Sequence, residues 1–436
     1  MERRASAPLI VCLLFLAIYS FHHISLSPMI KETDILWVPS LTKSPISCDR
    51  SNFHYDFCSL NGPTVMVPKT STLLVVGSTI PIQSTIQKVR PYPRKWEKNI
   101  MAHIKEITIV TASSTASIKT ACRVYHNAPA LVFSNGGYTG NLFHDFNDGL
   151  IPLFITSRLI TSDGRYPVLV IANCHNWWLS KYADLLRGLT PHPIINLDRE
   201  NDIHCFPSAT VGLVSHGFAS INPSLMPNSE SLLDFRTFLD YSYMATGGTH
   251  LPLSSMKTHP RLLLVSREGT VGRVILNQED LVRTAENVGF EVTIFKPTRF
   301  TNLREAYHLI NASHVMLGVH GAALTHSYFL QPGAVLIQVV PLGLEWASRV
   351  CFGGPAKQLG LEYMEYKIRV DESSLSDKYG KDDVVLRNPR AVVKKGWSYT
   401  DSIYLKKQDV RLDLNRVRSF LEAAYQNATG LMKKGF

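Results

Sequence analysis

RLLLVSREGTVGRVILNQEDLVRTAENVGFEVTIFKPTRFTNLREAYHLINASHVMLGVHGAALTHSYFLQPGAVLIQVV, residues 261–340, decides the fold. Apolar runs of strand length (RLLLVS, EVTIF, HVMLGV, AVLIQVV) alternate with helical segments, one from Gln278 to Asn287 stopped by Gly289 and one over NLREAYHLI. Apolar strands separated by amphipathic helices are the pattern of a parallel sheet covered on both faces. The loop His320-Gly321-Ala322-Ala323 follows such a strand and precedes a predicted helix. It therefore falls at the carboxyl end of the sheet, where helix N–H groups can meet a phosphate. Gly321 lets the backbone come close, and His320 offers a donor to a phosphate or ribose oxygen. Taken alone, the loop is equally a tight turn with a satisfied histidine.

At the same edge, Ser266 and Arg267 close the first strand and Arg273 follows in a glycine-bearing loop. Two arginines there suit a diphosphate, because the guanidinium fork donates in pairs and never loses its charge. The same grammar begins upstream with ALVF from Ala130, the loop SNGGYTGN and a helix from Leu142 to about Ile160. It continues with PVLVIA, WWLSKYADLLRGL, IINLD and a helix from Ser231 to Met244. The turn-rich segment His250 to Pro260 reads as a linker. The expectation is an α/β protein of two Rossmann-like, doubly wound domains facing across a cleft, 69–250 and 251–400. Residues 401–436 are expected as a strand and helix returning toward the first domain.

In the first domain His144, Asp145 and Asp148 open the helix after the glycine-rich loop. His144 and Asp148 share a helix face, where a carboxylate can orient an imidazole as a general base for an acceptor hydroxyl. Asp145 is accounted for by capping and the helix dipole, which do not explain His144. Cys174-His175-Asn176 and His204-Cys205 invite a nucleophile reading, but disulfides suit them better; Trp177 and Trp178 read as buried packing. No Asp-x-Asp occurs, so a donor site without a metal, and no cofactor, is expected.

At the N-terminus Arg3 and Arg4 precede the apolar run Leu9 to Phe21. This reads as a cytosolic tail (1–7), an uncleaved signal anchor (8–26) and a luminal stem (27–68), with a cleaved signal peptide as the rival. Of seven cysteines, Cys12 lies in the apolar run; Cys48 and Cys58 can close a small loop, and Cys122, Cys174, Cys205 and Cys351 suit further disulfides. Asn427 lies in a sequon expected to carry a glycan, whereas the Asn311 sequon abuts a core strand and is expected bare. Proline excludes Asn222. A composition of 45% hydrophobic and 18% charged residues rules out a disordered chain. The net charge of +10 comes with no Lys/Arg cluster interleaved with aromatics, so no nucleic-acid partner is expected.

SREGTVGRVILNQEDL, GVHGAALTHSYFLQPGAVLIQVVP, GGPAKQLGLEYMEYKI, NLFHDFNDGLIPLFITS and YLKKQDVRLDLNRVRSFLEAA together resemble the plant branch of glycosyltransferase family 61, over roughly Ala130 to Ala424. The resemblance implies a GT-B fold, an inverting single displacement, a UDP-sugar donor and a type II anchor in the Golgi membrane with the catalytic part luminal. It is nearest to grass enzymes that place arabinofuranose or xylose on xylan, so a UDP-pentose, a xylan or other glycan acceptor and Golgi complex partners are implied. Transfer to N-glycans or to proteins elsewhere in the family, and a non-catalytic scaffold or polysaccharide binder, stand as alternatives. Ser266, Arg267, Arg273, Asn277, His320, Gly321 and Ala322 fall in the donor motifs, and His144 and Asp148 in a His-x-x-x-Asp position. Gln278, His326 and Gln338 depart from an acid, an asparagine and a glutamate common in the family.

Overall fold

The four apolar runs from Arg261 onward, joined by Glu362–Lys367, form one sheet in the computed structural model, which describes residues 44–76, 86–112, 122–161, 164–244, 259–269 and 272–435. All its strands are parallel, in the order Glu291–Phe295, Arg261–Val265, Val315–Val319, Val335–Val340, Glu362–Lys367. The second strand in sequence lies outside the first, and the third lies on the first strand's other side. The chain thus reverses direction between Arg261–Val265 and Val315–Val319, the crevice where open parallel sheets bind ligands.

Strand pleating divides the apolar side chains between two layers. Leu262, Leu264, Leu317 and Ile337 pack with Leu281 and Ala285 of the Gln278–Val288 helix and with Val417, Leu421 and Ala424 of the Leu414–Lys433 helix. Leu263, Val265, Met316 and Leu336 face the other way, toward Tyr307 and Ile310 of the Leu303–Asn311 helix. Gly289, at φ 116°, ends the first of these helices.

The N-terminal half holds two six-stranded mixed sheets. In one, Ala209–Val211, Ala130–Ser134, Val168–Ala172 and Ile195–Asn196 run parallel, extended at one edge by the antiparallel pair Phe57–Leu60 and Ile46–Asp49. The other is built on Thr64–Val67, Thr72–Val76 and Ile107–Ala112. The two share a core of Val75, Ile109, Val132, Val170 and Phe206. Leu131, Phe133 and Ile171 point the opposite way, into the same apolar cluster that takes up Tyr307 and Met316 from the C-terminal half. One core thus runs through both halves. Phe146 meets Tyr328 at 5.5 Å between ring centroids, and Tyr243 meets Tyr307 at 5.2 Å. Buried Arg236 ties the Leu232–Met244 helix to the carbonyls of Phe329 and Leu330.

Several expectations need correction. From Ser44 onward the supposed stem is folded: Ile46–Asp49, Phe57–Leu60 and Thr64–Val67 are sheet strands, too short to show a period. The Leu414–Lys433 helix stays on the C-terminal sheet, because its Val417, Leu421 and Ala424 stripe fits that face. The turn after His320 is a 3-10 helix, Ala322–Phe329, not an α-helix. Cys48–Cys58 and Cys122–Cys205 are disulfides, while Cys174 and Cys351 are thiols. Trp178 is buried as expected, but Trp177 is 45% exposed. Residues 8–26 and most of the expected linker lie outside the described residues, among which no helix is long and apolar enough to cross a membrane.

Candidate active site

Gly321 has φ 151°, and a Cβ there would collide with Nη2 of Arg267 and Nη1 of Arg273. Only glycine lets both guanidinium groups lie against this turn. Arg273 is itself in the left-handed region at φ 62°, held by bonds from Nη1 to the His320 carbonyl and from Nε to the Leu405 carbonyl, both 3.0 Å. Such backbone strain persists where surrounding contacts fix it. Burial lowers the pKa of both arginines, and for Arg273 the neighbouring Arg267 adds to it, down to about 10. Among the described residues neither makes an ion pair. Two half-buried cations that repel each other, with no ion-pair partner among the described residues and only the more distant charge of Asp401 to offset them, are suited to receive an anion.

His320 lies beside them, and burial followed by the two arginines pushes its pKa down to about 3. Buried Gln338, on the adjoining strand, has Nε2 3.0 Å from His320 Nδ1, while the Tyr363 hydroxyl donates to its Oε1 at 2.7 Å. The amide therefore donates to Nδ1, so the neutral ring carries its proton on Nε2. Ser266 donates to Gln278 Oε1 at 2.6 Å, and both ends of the Asn277 amide are spent on the Leu412 backbone. Asn277 thus tethers the chain near Leu412. His326 is buried, its Nδ1 donating to the Ala323 carbonyl.

The N-terminal half contributes a second group. Asn141 caps the helix through Phe143 N–H, and residues Asp145–Leu150 form a π-helical turn, a distortion frequent at functional sites. Asp145 is committed to bracing, accepting from Tyr182 Oη at 2.8 Å and Gly140 N–H at 3.1 Å. Asp148, 1% exposed, accepts from Tyr92 Oη at 2.9 Å, Arg94 Nε at 2.9 Å, His144 Nδ1 at 2.8 Å and Asn147 Nδ2. Burial opposes its charge, yet the His144 bond and Arg94 hold its pKa below the usual range. The ionised carboxylate at 2.8 Å favours a proton on Nδ1, against the Arg94 Nη2 donor 3.0 Å from the same nitrogen, and that tautomer leaves the Nε2 lone pair of His144 for a substrate. Tyr138 stacks on this imidazole at 4.3 Å and donates to Glu97, which pairs with Arg94.

Phe352 joins the two groups, its ring 5.6 Å from Phe143 and 5.4 Å from His320. His144 and His320, 176 residues apart in sequence, are thus neighbours of one phenylalanine's surroundings. Sequence reasoning missed Tyr92, Arg94, Glu97 and Phe352. A signal for the first three existed in RPYPRKWE (90–97), which does interleave cations with aromatics. The two free thiols are poor nucleophiles: burial raises Cys174 to about 11 and Cys351 to about 12.

A cation pair at the reversal point of a parallel sheet, joined through Phe352 to an imidazole oriented by a buried carboxylate, is the arrangement expected of an enzyme that handles a phosphate-bearing ligand. The chain belongs to glycosyltransferase family 61: the Glycosyltransferase 61 family model matches residues 142–337. A xylan glycosyltransferase of Arabidopsis thaliana is 41% identical over 401 residues, covering 88% of this chain and 80% of the relative. An alpha-1,3-arabinosyltransferase of Oryza sativa subsp. japonica is 38% identical, covering 87% and 64%. A beta-1,2-xylosyltransferase of the same plant is 35% identical, covering 86% and 83%.

Proposed function

We propose that this glycosyltransferase moves a pentose, arabinofuranose or xylose, from its uridine diphosphate ester to a xylan backbone. The observation that carries the reading is the Arg267–Arg273 pair against Gly321, neither arginine having an ion-pair partner among the described residues. The names of the relatives supply the sugar and the acceptor. Fixed cations placed where charge develops on a departing diphosphate lower the barrier, so Arg267, Arg273 and His320 Nε2–H take the leaving group. His144 Nε2 removes the proton of the attacking hydroxyl, and Asp148, with both oxygens occupied, orients it and stabilises the imidazolium. Attack opposite the leaving group inverts the anomeric centre. The arginines supply the positive charge that a metal would otherwise bring. In this reading the two α/β halves correspond to a GT-B-type pair, and the enzyme works in the Golgi lumen, anchored by residues 8–26 and assembled with other cell-wall enzymes. A glycan at Asn427, exposed on the last helix, fits that compartment, whereas Asn311 Oδ1 is already engaged by Arg236 and Gln331.

Incubating the full chain with xylo-oligosaccharides and a panel of UDP-sugars tests the proposal. Transfer with inversion from UDP-arabinofuranose or UDP-xylose is expected. Binding of UDP with no transfer from any donor would leave a non-catalytic binder as the correct reading.

Gln338 offers a further test. In Gln338→Glu a carboxylate faces His320 Nδ1 and raises the imidazole pKa from about 3. Below the raised value the ring is cationic and donates from Nε2 to the diphosphate. Above it, the proton stays on Nδ1 and a lone pair faces the phosphate. The variant's dissociation constant for UDP, relative to the native chain's, is therefore expected to grow as pH rises between about 5 and 8. A constant ratio across that range excludes this role for Gln338.

A further inference from the structure

Beside the His144 group lies a row of aromatic rings that no catalytic step uses. Phe53 stacks on Trp96 at 5.3 Å and 11°. Trp96 meets Phe218 at 6.5 Å, and Phe218 meets Trp346 at 6.0 Å, both edge-on. Phe53 is 67% exposed and Trp346 60%. Single exposed apolar residues need no explanation, but four aromatics in one file, from separate segments and from both halves, do. The row is continuous with the reactive group: the Arg94 guanidinium lies 5.2 Å from the Trp96 ring and 5.8 Å from that of Phe218, and also holds Asp148 and stands 3.0 Å from His144.

We propose that Phe53, Trp96, Phe218 and Trp346 form the track on which the acceptor chain lies while one of its sugars presents a hydroxyl to His144. The inference rests on the acceptor reading above and adds how the polymer is held. A pyranose ring offers C–H groups on its faces and hydroxyls at its edge, so it stacks on an aromatic face while its edge stays hydrated. The occupant is a neutral sugar chain. Arg94 is committed to Asp148 and Glu97, and burial followed by Arg94 disfavours charge on His54, the titratable group packed among the rings. The spacing between successive rings is comparable to a sugar residue, and the file is one ring wide, which suits a linear xylan backbone.

The test compares Trp346→Ala and Phe53→Ala with the native full chain, using xylo-oligosaccharides from disaccharide to hexasaccharide. UDP affinity serves as the control for folding, since neither residue touches the arginine pair. The KM for the hexasaccharide should rise roughly tenfold in each variant, with a smaller change for the disaccharide. Trp346→Phe should restore most of the loss. A length preference that survives in both alanine variants, or an equal loss at every length, overturns the track. If the native chain transfers no pentose to any xylo-oligosaccharide, the acceptor reading beneath it fails instead, which is a separate result.

Discussion

His144→Ala is expected to lower kcat by about 10³-fold, within the range a general base supplies, while UDP affinity stays at the native value. The substitution is structurally mild. Asp148 keeps its bonds from Tyr92, Arg94 and Asn147, so no buried charge is left unpaired. Asp148→Asn is the instructive contrast. It removes one of the two negative partners of Arg94, Glu97 remaining; leaving a buried charge wholly unpaired costs about 3–5 kcal/mol, so this variant should lose melting temperature by less than that, as well as activity. A His144→Ala enzyme that keeps its kcat would return the proton-accepting role to another group.

Arg267→Ala is expected to reduce kcat/KM for the donor by about 10²–10³-fold, the loss seen when a fixed stabiliser of transition-state charge is removed. The sign of its effect on stability is the sharper point. Arg267 makes no ion pair among the described residues, and its charge lowers the pKa of Arg273. Removing it relieves repulsion, so the melting temperature of the unliganded protein should hold or rise while activity collapses. Arg273 is less clean as a target, because it also holds the carbonyls of His320 and Leu405. Unchanged transfer by Arg267→Ala would show that the diphosphate binds elsewhere.

The C-terminal half was legible because its three central strands, Arg261–Val265, Val315–Val319 and Val335–Val340, are almost wholly buried and read as continuous apolar runs, with Gly289 marking a helix end. The loops bearing Arg267, Arg273 and His320 could be placed from that alternation alone. Ile46–Asp49 and Phe57–Leu60 escaped notice because four-residue strands carry no usable period and are set by a disulfide and by pairing with Ala209–Val211. Arg94 was missed for another reason: RPYPRKWE marks a stretch of cations and aromatics, but the role of Arg94 depends on meeting Asp148 across 54 residues, and nothing local announces that contact. His144 and Asp148 were found because both lie on one helix. Trp177 and Trp178 show the limit of pattern reading, since adjacent positions on a helix point to different surroundings.

The core that runs through both halves has a kinetic consequence. Enzymes whose lobes meet along a thin, wet seam open and close as rigid bodies. Here Phe146, Phe235 and Tyr243 interlock with Tyr307, Tyr328 and Phe329, and parting the lobes would expose that apolar surface to water. Admission of the donor and departure of the spent nucleotide therefore fall to side chains and loops around a fixed frame. Turnover in such a molecule is governed by local gates, and its geometry before and after the reaction should differ little.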